Sequence, residues 1–308
     1  MDVSVVVPTC NRATRLDRLL RALEEQDHPV DHFEVVVVDD ASTDATPDVI
    51  EAAQARSILR LRHLRMERNS GPAPARNRGW RSAAAEVVAF IDDDCTPDPG
   101  WVVALVAAFV GDDRLGVVQG RTCDAPGPVS PWTVSRAIEG PTPWFEGCNI
   151  AYRRAALEAT GGFDEVIGWY GEDTSAGWKV LDAGWTSGFA PDAVVEHDLE
   201  VRSVRWRIRH GWLEGNLVEL AGRHPGLRRL AFRRGRIVRP ESITLPLALA
   251  GLVATRRHPA WAVLTVPYLG RDRALLRRPV DLLAFTMVDL AALAGHLRGS
   301  VRARTLVI

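Results

Sequence analysis

The chain has 308 residues, 46% of them apolar and 25% charged, with a formal net charge of −1. This composition excludes collagen-like, disulfide-scaffold and fully disordered classes, and it supplies core enough for one large domain or two modest ones. The near-zero total hides a split: residues 199–308 carry 20 Arg against 7 acidic residues, a balance of +13, and residues 1–198 carry 18 basic against 32 acidic groups, a balance of −14. A basic C-terminal third suits a phosphate, a nucleic acid or an anionic lipid nearby, and the acidic remainder argues against a nucleic acid lying across the whole molecule. Arginine counts alone say little, because Lys179 is the only lysine among 38 basic residues. Cys10, Cys95, Cys123 and Cys148 form no CxxC pair, which argues against a cysteine-built zinc site. The N-terminal residues show no secretory pattern of charged start, apolar stretch and small-residue cleavage site, so a cytoplasmic location is expected.

In chain order, the first half alternates apolar strands with helices. Val3–Val7 is an apolar run of strand length, and Leu16, Leu19, Leu20 and Leu23 then recur at helical spacing. Glu34–Val38 reads as a second buried strand. Thr46-Pro47 reads as an N-cap followed by proline at the first helical position. Leu59, Leu61 and His63 alternate with arginines as in a half-buried strand. A helix is expected over 72–85, strands at Val87–Ile91 and Leu115–Gln119, and a helix over Val102–Val110 between them. Such alternation implies a mostly parallel sheet covered by helices on both faces. Five prolines make residues 121–145 a long irregular connection. Structure resumes at Cys148–Tyr152, with helices expected at Arg154–Ala159 and Asp173–Ala183. After His197 the chain becomes basic: a helix is expected over Val204–Leu220, and residues 228–239 hold six arginines. Three apolar segments follow. Ile243–Ala254 and Ala260–Leu269 are too short to span a bilayer, and Val280–Leu297, with Asp281, Asp289 and His296, reads as a buried or amphipathic helix.

Acidic residues recur where strands end. The first strand runs into Pro8-Thr9-Cys10-Asn11-Arg12, the second into Asp39-Asp40-Ala41-Ser42-Thr43-Asp44, and the fourth into Asp92-Asp93-Asp94. Open α/β sheets bind ligands outside these ends. Ser42, Thr43 and Asp44 suit a turn or a helix cap, but three consecutive carboxylates repel and call for a cation. Oxygen ligands suit Mg²⁺ or Mn²⁺, which commonly bridge carboxylates to substrate phosphates, and this points to a nucleotide diphosphate. Neither a G-x-x-x-x-G-K-[ST] phosphate loop nor a G-x-G-x-x-G turn follows the first strand.

Six segments together resemble glycosyltransferase family 2: residues 3–12, 37–44, 71–79 (Gly-Pro-Ala-Pro-Ala-Arg-Asn-Arg-Gly), 90–94, 161–165 (Gly-Gly-Phe-Asp-Glu) and 171–173 (Gly-Glu-Asp). The resemblance covers residue 3 to about residue 200, in the family's order. It implies a glycosyltransferase A-type fold: α/β, with a Rossmann-like, mostly parallel sheet and flanking helices, here followed by a helical basic C-terminal extension. It also implies a catalytic domain over 1–200, with a donor part at about 1–120 and an acceptor part at about 121–200, ahead of a helical basic and apolar region over 201–308.

The implied activity is inverting transfer of a sugar from a nucleotide-diphospho donor, a UDP-sugar first, to a hydroxyl acceptor that is lipid-linked, a glycan or a small natural product. By resemblance, Asp40 contacts the nucleotide base, Pro8, Thr9 and Arg12 line its pocket, and Arg76 lies near it. Asp92 and Asp94 match a D-x-D motif that holds Mn²⁺ or Mg²⁺, with Asp94 the direct ligand, and Asp93 is placed at the ribose. Asp173 matches the general base, with Glu172 beside it, and Asn149 lies in a stretch that closes over the donor sugar. His197 reads equally as a further metal ligand or a turn histidine. Trp169, just before the Gly-Glu-Asp turn, is expected near the acceptor, since aromatic faces stack on sugars.

The chemistry is self-consistent: a carboxylate takes the acceptor proton, and a cation meets the charge of the diphosphate. Arg202-Ser203-Val204-Arg205-Trp206 matches the Q-x-x-R-W motif of processive members only in part. A nucleotidyltransferase is the competing enzyme class, but Pro8–Arg12 lacks its Gly-rich basic loop; a non-catalytic relative is opposed by the intact aspartates. The basic apolar C-terminal region has two open readings. One is a surface on an anionic membrane, peripheral at its inner face; the other is a packed extension or homo-oligomer contact. Nucleic acid is not expected as a partner.

Overall fold

Strands buried on both faces need continuous apolar runs, and the first two runs supply them: Val3–Thr9 is buried at six of seven positions and Phe33–Asp39 at all seven. They belong to a computed structural model that describes residues 1–232, 235, 238–270 and 279–307. The chain falls into two compact units, Met1–Val201 and Arg202–Ile308.

The N-terminal unit runs β1 (Val3–Thr9), α1 (Ala13–Glu24), β2 (Phe33–Asp39), α2 (Thr46–Arg56), β3 (Leu61–Arg65), α3 (Pro72–Ser82), β4 (Val87–Ile91), β5 (Cys95–Pro97) and α4 (Trp101–Ala108). It continues with β6 (Leu115–Asp124), β7 (Thr133–Val134), β8 (Asn149–Arg153), α5 (Arg154–Thr160), α6 (Glu172–Asp182), β9 (Thr186–His197) and β10 (Glu200–Val201). Eight strands form one sheet in the order β3-β2-β1-β4-β8-β6-β9-β5. β1, β2, β3 and β4 pair in parallel, as do β6 and β9, while β8 enters antiparallel to both β4 and β6. α1 lays Leu16, Leu19, Leu20 and Leu23 on the sheet.

Three local expectations are corrected. Thr46 is the first residue of α2, not its cap; the Asp44 carboxylate accepts its amide at 3.0 Å, and the Thr46 hydroxyl accepts the amide of Arg12. β6 continues to Asp124, so the irregular connection begins later than residue 121, and it is tied back by the bridge of Thr122 to Ile138 and by β7 pairing with β10. β9 is a 12-residue strand, longer than the apolar run Ala193–Val195 that the sequence shows ahead of His197, because its two register shifts against β6 break the period-two pattern.

The C-terminal unit is helical: α7 (Val204–Leu213), α8 (Gly215–Arg223), α9 (Pro225–Ala231), α10 (Glu241–Ala254), a 3-10 helix (Pro259–Thr265), α11 (Val266–Leu269) and α12 (Pro279–Arg302). Ser203 caps α7, its Oγ accepting the Trp206 amide at 3.2 Å. The single helix expected over 204–220 is divided at Glu214. There α12 approaches so closely that a Cβ on Gly215 would lie 2.2 Å from the Gly295 carbonyl oxygen. α12, expected as a buried or amphipathic helix, is buried on part of its surface only: 28% of its most apolar 18-residue window lies inside the protein. Of the six arginines at 228–239, Arg233, Arg234 and Arg236 lie outside the described residues.

Candidate active site

The C-terminal ends of β1, β2 and β4 bring three of the sequence motifs together. Asn11, with φ of 55°, turns the chain after β1, and its side-chain carbonyl accepts the Thr43 amide at 2.7 Å. The Asp40 carboxylate accepts the Ser70 and Gly71 amides, each at 2.8 Å, and the Asp40 amide donates to the Thr9 carbonyl at 2.8 Å. Gly71 has φ of 93°, a conformation that favours glycine, so this loop can fold onto Asp40. Trp169 is 54% exposed, and its ring lies 3.4 Å from where a Gly71 Cβ would be. It therefore stands beside the loop that folds onto Asp40.

The three consecutive aspartates are divided among different partners. Asp92 accepts from Arg76 at 2.8 Å; Asp93 accepts from Thr9 at 2.7 Å and from Arg12 at 3.0 Å. Asp94 Oδ2 takes Arg12 at 2.5 Å, with Arg15 at 3.8 Å. Burial works against ionisation of Asp92, but Arg76 outweighs it and holds the carboxyl below its ordinary value. Burial pushes Asp93 up to about 7 against the pull of Arg12. Both Asp93 oxygens are engaged inside the protein, Oδ2 by Thr9 and Oδ1 by Arg12. Pro8 is half-buried opposite Val38. Arginines thus meet much of the charge that the sequence assigned to a cation.

One atom is left over. Asp94 Oδ1 is buried and has no hydrogen-bond partner among the described residues, and it lies 3.4 Å from His197 Nε2. His197 Nδ1 is 2.8 Å from the Asp198 carbonyl, which can only accept, so Nδ1 is the donor there and the ring is held with Nε2 turned toward Asp94. The buried Cys95 is the register partner of His197 in the β5–β9 pair, and its sulfur belongs to the same cluster, whose ligand atoms all lie within 4.8 Å of one another. A carboxylate oxygen with an imidazole nitrogen fits a divalent cation of the Mn²⁺ type. Spacing alone did not reveal Cys95, because β5 is only three residues long.

The acceptor half converges on Arg76. This buried guanidinium of α3 reaches Asp92 with one nitrogen and Glu172, the first residue of α6, with another at 2.9 Å. Asp173 Oδ1 accepts the Thr174 amide at 2.7 Å, and Oδ2 accepts the Gly147 amide at 3.1 Å. Burial raises Glu172 to about 7, with the Asp173 charge adding to it, and burial raises Asp173 against the pull of Arg76. Arg136, in the proline-rich connection, was not foreseen. Burial opposes its charge, but the surrounding negative charge, Asp173 and Asp92 included, raises its pKa above the ordinary value. Asn149 does not join the site. It is 1% exposed, accepts Trp101 Nε1 at 2.9 Å and donates to the Arg121 and Ala193 carbonyls at 2.8 and 2.9 Å, so β8 uses it to tie the sheet together.

Comparison with known proteins places the chain among glycosyltransferases. The family model described as glycosyl transferase family 2 matches residues 4–163, and that described as glycosyl transferase family group 2 matches residues 87–295. The pre-mycofactocin glycosyltransferase of Mycobacterium tuberculosis is 31% identical over 243 residues, covering 73% of this chain and 48% of that protein. The validoxylamine A glucosyltransferase of Streptomyces hygroscopicus is 33% identical over 217 residues, covering 58% of this chain and 51% of that protein. The chain thus spans about half the length of the curated relatives it matches. Among solved structures, the mannosyltransferase PcManGT from Pyrobaculum calidifontis, in complex with GDP-Man and Mn²⁺, superposes with a TM-score of 0.71 at 26% identity, covering 96% of this chain and 87% of that one. Staphylococcus aureus TarS 1–349 with UDP-GlcNAc shares the fold at a TM-score of 0.53 and 21% identity, covering 99% and 93%. With strand-end aspartates, the Gly-Glu-Asp turn and a family model that matches more than half of its length, the chain belongs to glycosyltransferase family 2 and has that family's A-type fold.

Proposed function

We propose that the N-terminal unit transfers a sugar, with inversion, from a nucleotide-diphospho donor to a hydroxyl acceptor. Asp173 is the general base, and Asp94 with His197 holds a divalent cation. The observation that carries this reading is the partnerless buried Asp94 Oδ1 facing His197 Nε2, on the sheet edge where Asp40 and Arg76 also converge. Further support comes from PcManGT, which binds GDP-Man and Mn²⁺. A cation held there would neutralise the diphosphate as it leaves. Asp40, locked by two loop amides, presents a fixed edge to the nucleotide base. Arg12 and Arg76 keep positive charge beside the phosphates while holding Asp92–Asp94 apart. Asp173 takes the acceptor hydroxyl proton as that oxygen's electron pair attacks the anomeric carbon and the bond to the diphosphate breaks. Its raised pKa makes it a stronger base than a free carboxylate, and the Gly147 and Thr174 amides orient it.

A UDP-sugar is the first donor to test. Calorimetric titration of UDP, GDP and TDP sugars with Mn²⁺, followed by donor hydrolysis, tests the reading. One nucleotide is expected to bind, with binding lost on chelation. Asp94→Ala and Asp173→Asn are each expected to abolish transfer, Asp173→Asn while retaining donor binding. Full transfer by either variant removes that residue from its role. The acceptor is a hydroxyl compound: a lipid-linked sugar acceptor, a glycan or a small natural product.

A further inference from the structure

The second observation lies in the C-terminal unit. Residues 242–255 contain no charged side chain, and neither do residues 259–270. α10 buries only every third residue, Ser242, Leu245, Ala248 and Gly251. Between them Ile243, Leu247, Leu249, Leu252 and Val253 are exposed, the last two by 62% and 63%. The 3-10 helix packs on α10 at Gly251, where a Cβ would meet Leu264 Cβ at 2.7 Å, and it turns Trp261 and Val263 outward. α12 is long and apolar enough over Val280–Arg302 to cross a membrane, yet it too leaves Val280, Leu283 and Met287 exposed. A surface helix ordinarily carries polar residues at such positions, and a helix apolar all round is ordinarily buried.

The charges around these segments identify the cover. Arg256, Arg257 and His258 stand exposed between the two apolar segments. In the sequence, Arg271, Arg273, Arg277 and Arg278 follow the second. Each apolar segment is therefore followed by a cationic cluster, the pattern that meets acyl chains and anionic headgroups together. A second copy of the chain would cover one side of α10, whereas two of every three residues face outward. Insertion is shallow. The 14 residues of α10 reach about 21 Å against the roughly 30 Å of a hydrocarbon core. Meanwhile α12 is bonded into the helical cluster, through Asp289 to Tyr268 at 2.8 Å and through His296 to Ser242 at 3.1 Å.

We propose that residues 241–270 together with α12 form a docking surface that seats in one leaflet of an anionic bilayer, with its apolar side chains among acyl chains and Arg256–Arg257 at the lipid phosphates. This stands apart from the transferase reading and does not require it. The test is sedimentation of the full chain with vesicles of phosphatidylcholine, with and without phosphatidylglycerol. Binding is expected to be strongest with phosphatidylglycerol and to weaken as salt rises. Leu249→Asp with Leu252→Asp is expected to abolish binding to both compositions. Arg256→Glu with Arg257→Glu is expected to remove the anionic preference, at about fivefold per arginine. These positions are exposed, so circular dichroism and nucleotide binding should be unchanged. Retention in the supernatant with both compositions overturns the proposal, as does unaltered binding of the leucine variant. A lipid-free, concentration-dependent dimer that the leucine substitutions dissociate and that excludes vesicles would assign the surface to a second copy and overturn it as well.

Discussion

At the scale of single residues, Arg76 is the node of the site. One buried guanidinium joins the end of β4, through Asp92, to the start of α6, through Glu172. Gly147 leaves it room: a Cβ there would lie 2.8 Å from Arg76 Nη2. Gly147→Ala should therefore push the guanidinium off its carboxylates and shift the amide that orients Asp173. The expected loss in kcat is about 100-fold, the scale of a 1 Å misplacement, with the far-UV spectrum unchanged; an unchanged kcat would detach Arg76 from the chemistry. The pH profile follows from burial. A base must be ionised to act, so a carboxyl whose pKa is raised loses activity as pH falls through the raised value. Glu172 lies at about 7 and Asp173 is raised beside it, so the pair should impose an acid limb on kcat/KM in the neutral range. Glu172→Gln removes one negative charge and should move that limb to lower pH, read from rates across pH at saturating Mn²⁺. A limb that stays in place would show that Glu172 does not shape it.

At the scale of elements, legibility follows burial on two faces. β1, β2 and β4 are continuous apolar runs because helices cover both sides, and the carboxylates at the ends of β2 and β4 stood out against those runs. Elements that lack a two-sided environment were not legible: β5, β7 and β10 have two or three residues each, and β9 loses its alternation at bulges. Arg136 escaped because its position depends on the Thr122–Ile138 bridge and the Asp124 carboxylate, long-range contacts inside a proline-rich segment. Asn149 misled in the opposite direction, since a polar residue beside a motif is fully used by the sheet. Trp101→Phe tests that assignment. It leaves the Asn149 carbonyl without its donor in the core and should cost about 1–3 kcal/mol in denaturant unfolding, with donor KM unchanged. A raised KM at unchanged stability would return Asn149 to the donor site.

At the scale of the whole molecule, the two units carry different kinds of stability. The N-terminal unit is a sheet whose C-terminal strand ends hold buried carboxylates, met by arginines or by backbone amides, with Asp94 Oδ1 left over. The C-terminal unit depends on close backbone approach: a Cβ on Gly295 would lie 2.4 Å from the Trp212 carbonyl oxygen, and one on Gly299 2.3 Å from that of Gly215. Ligand and mutation should therefore act on different parts of the unfolding profile. A nucleotide with Mn²⁺ at 100 times its Kd should stabilise the N-terminal unit by about 2.7 kcal/mol, reversibly on chelation. Gly295→Ala forces α12 away from α7 and should cost about 1–3 kcal/mol, the usual penalty of overpacking, in the C-terminal unit. Hydrogen exchange resolved by peptide separates the two. The ligand should slow exchange in β1, β4 and β9, and Gly295→Ala should speed it in α7, α8 and α12. If the glycine substitution accelerated exchange equally in β1 and β4, the two units would be one cooperative body, and the charge split between them would have no counterpart in stability.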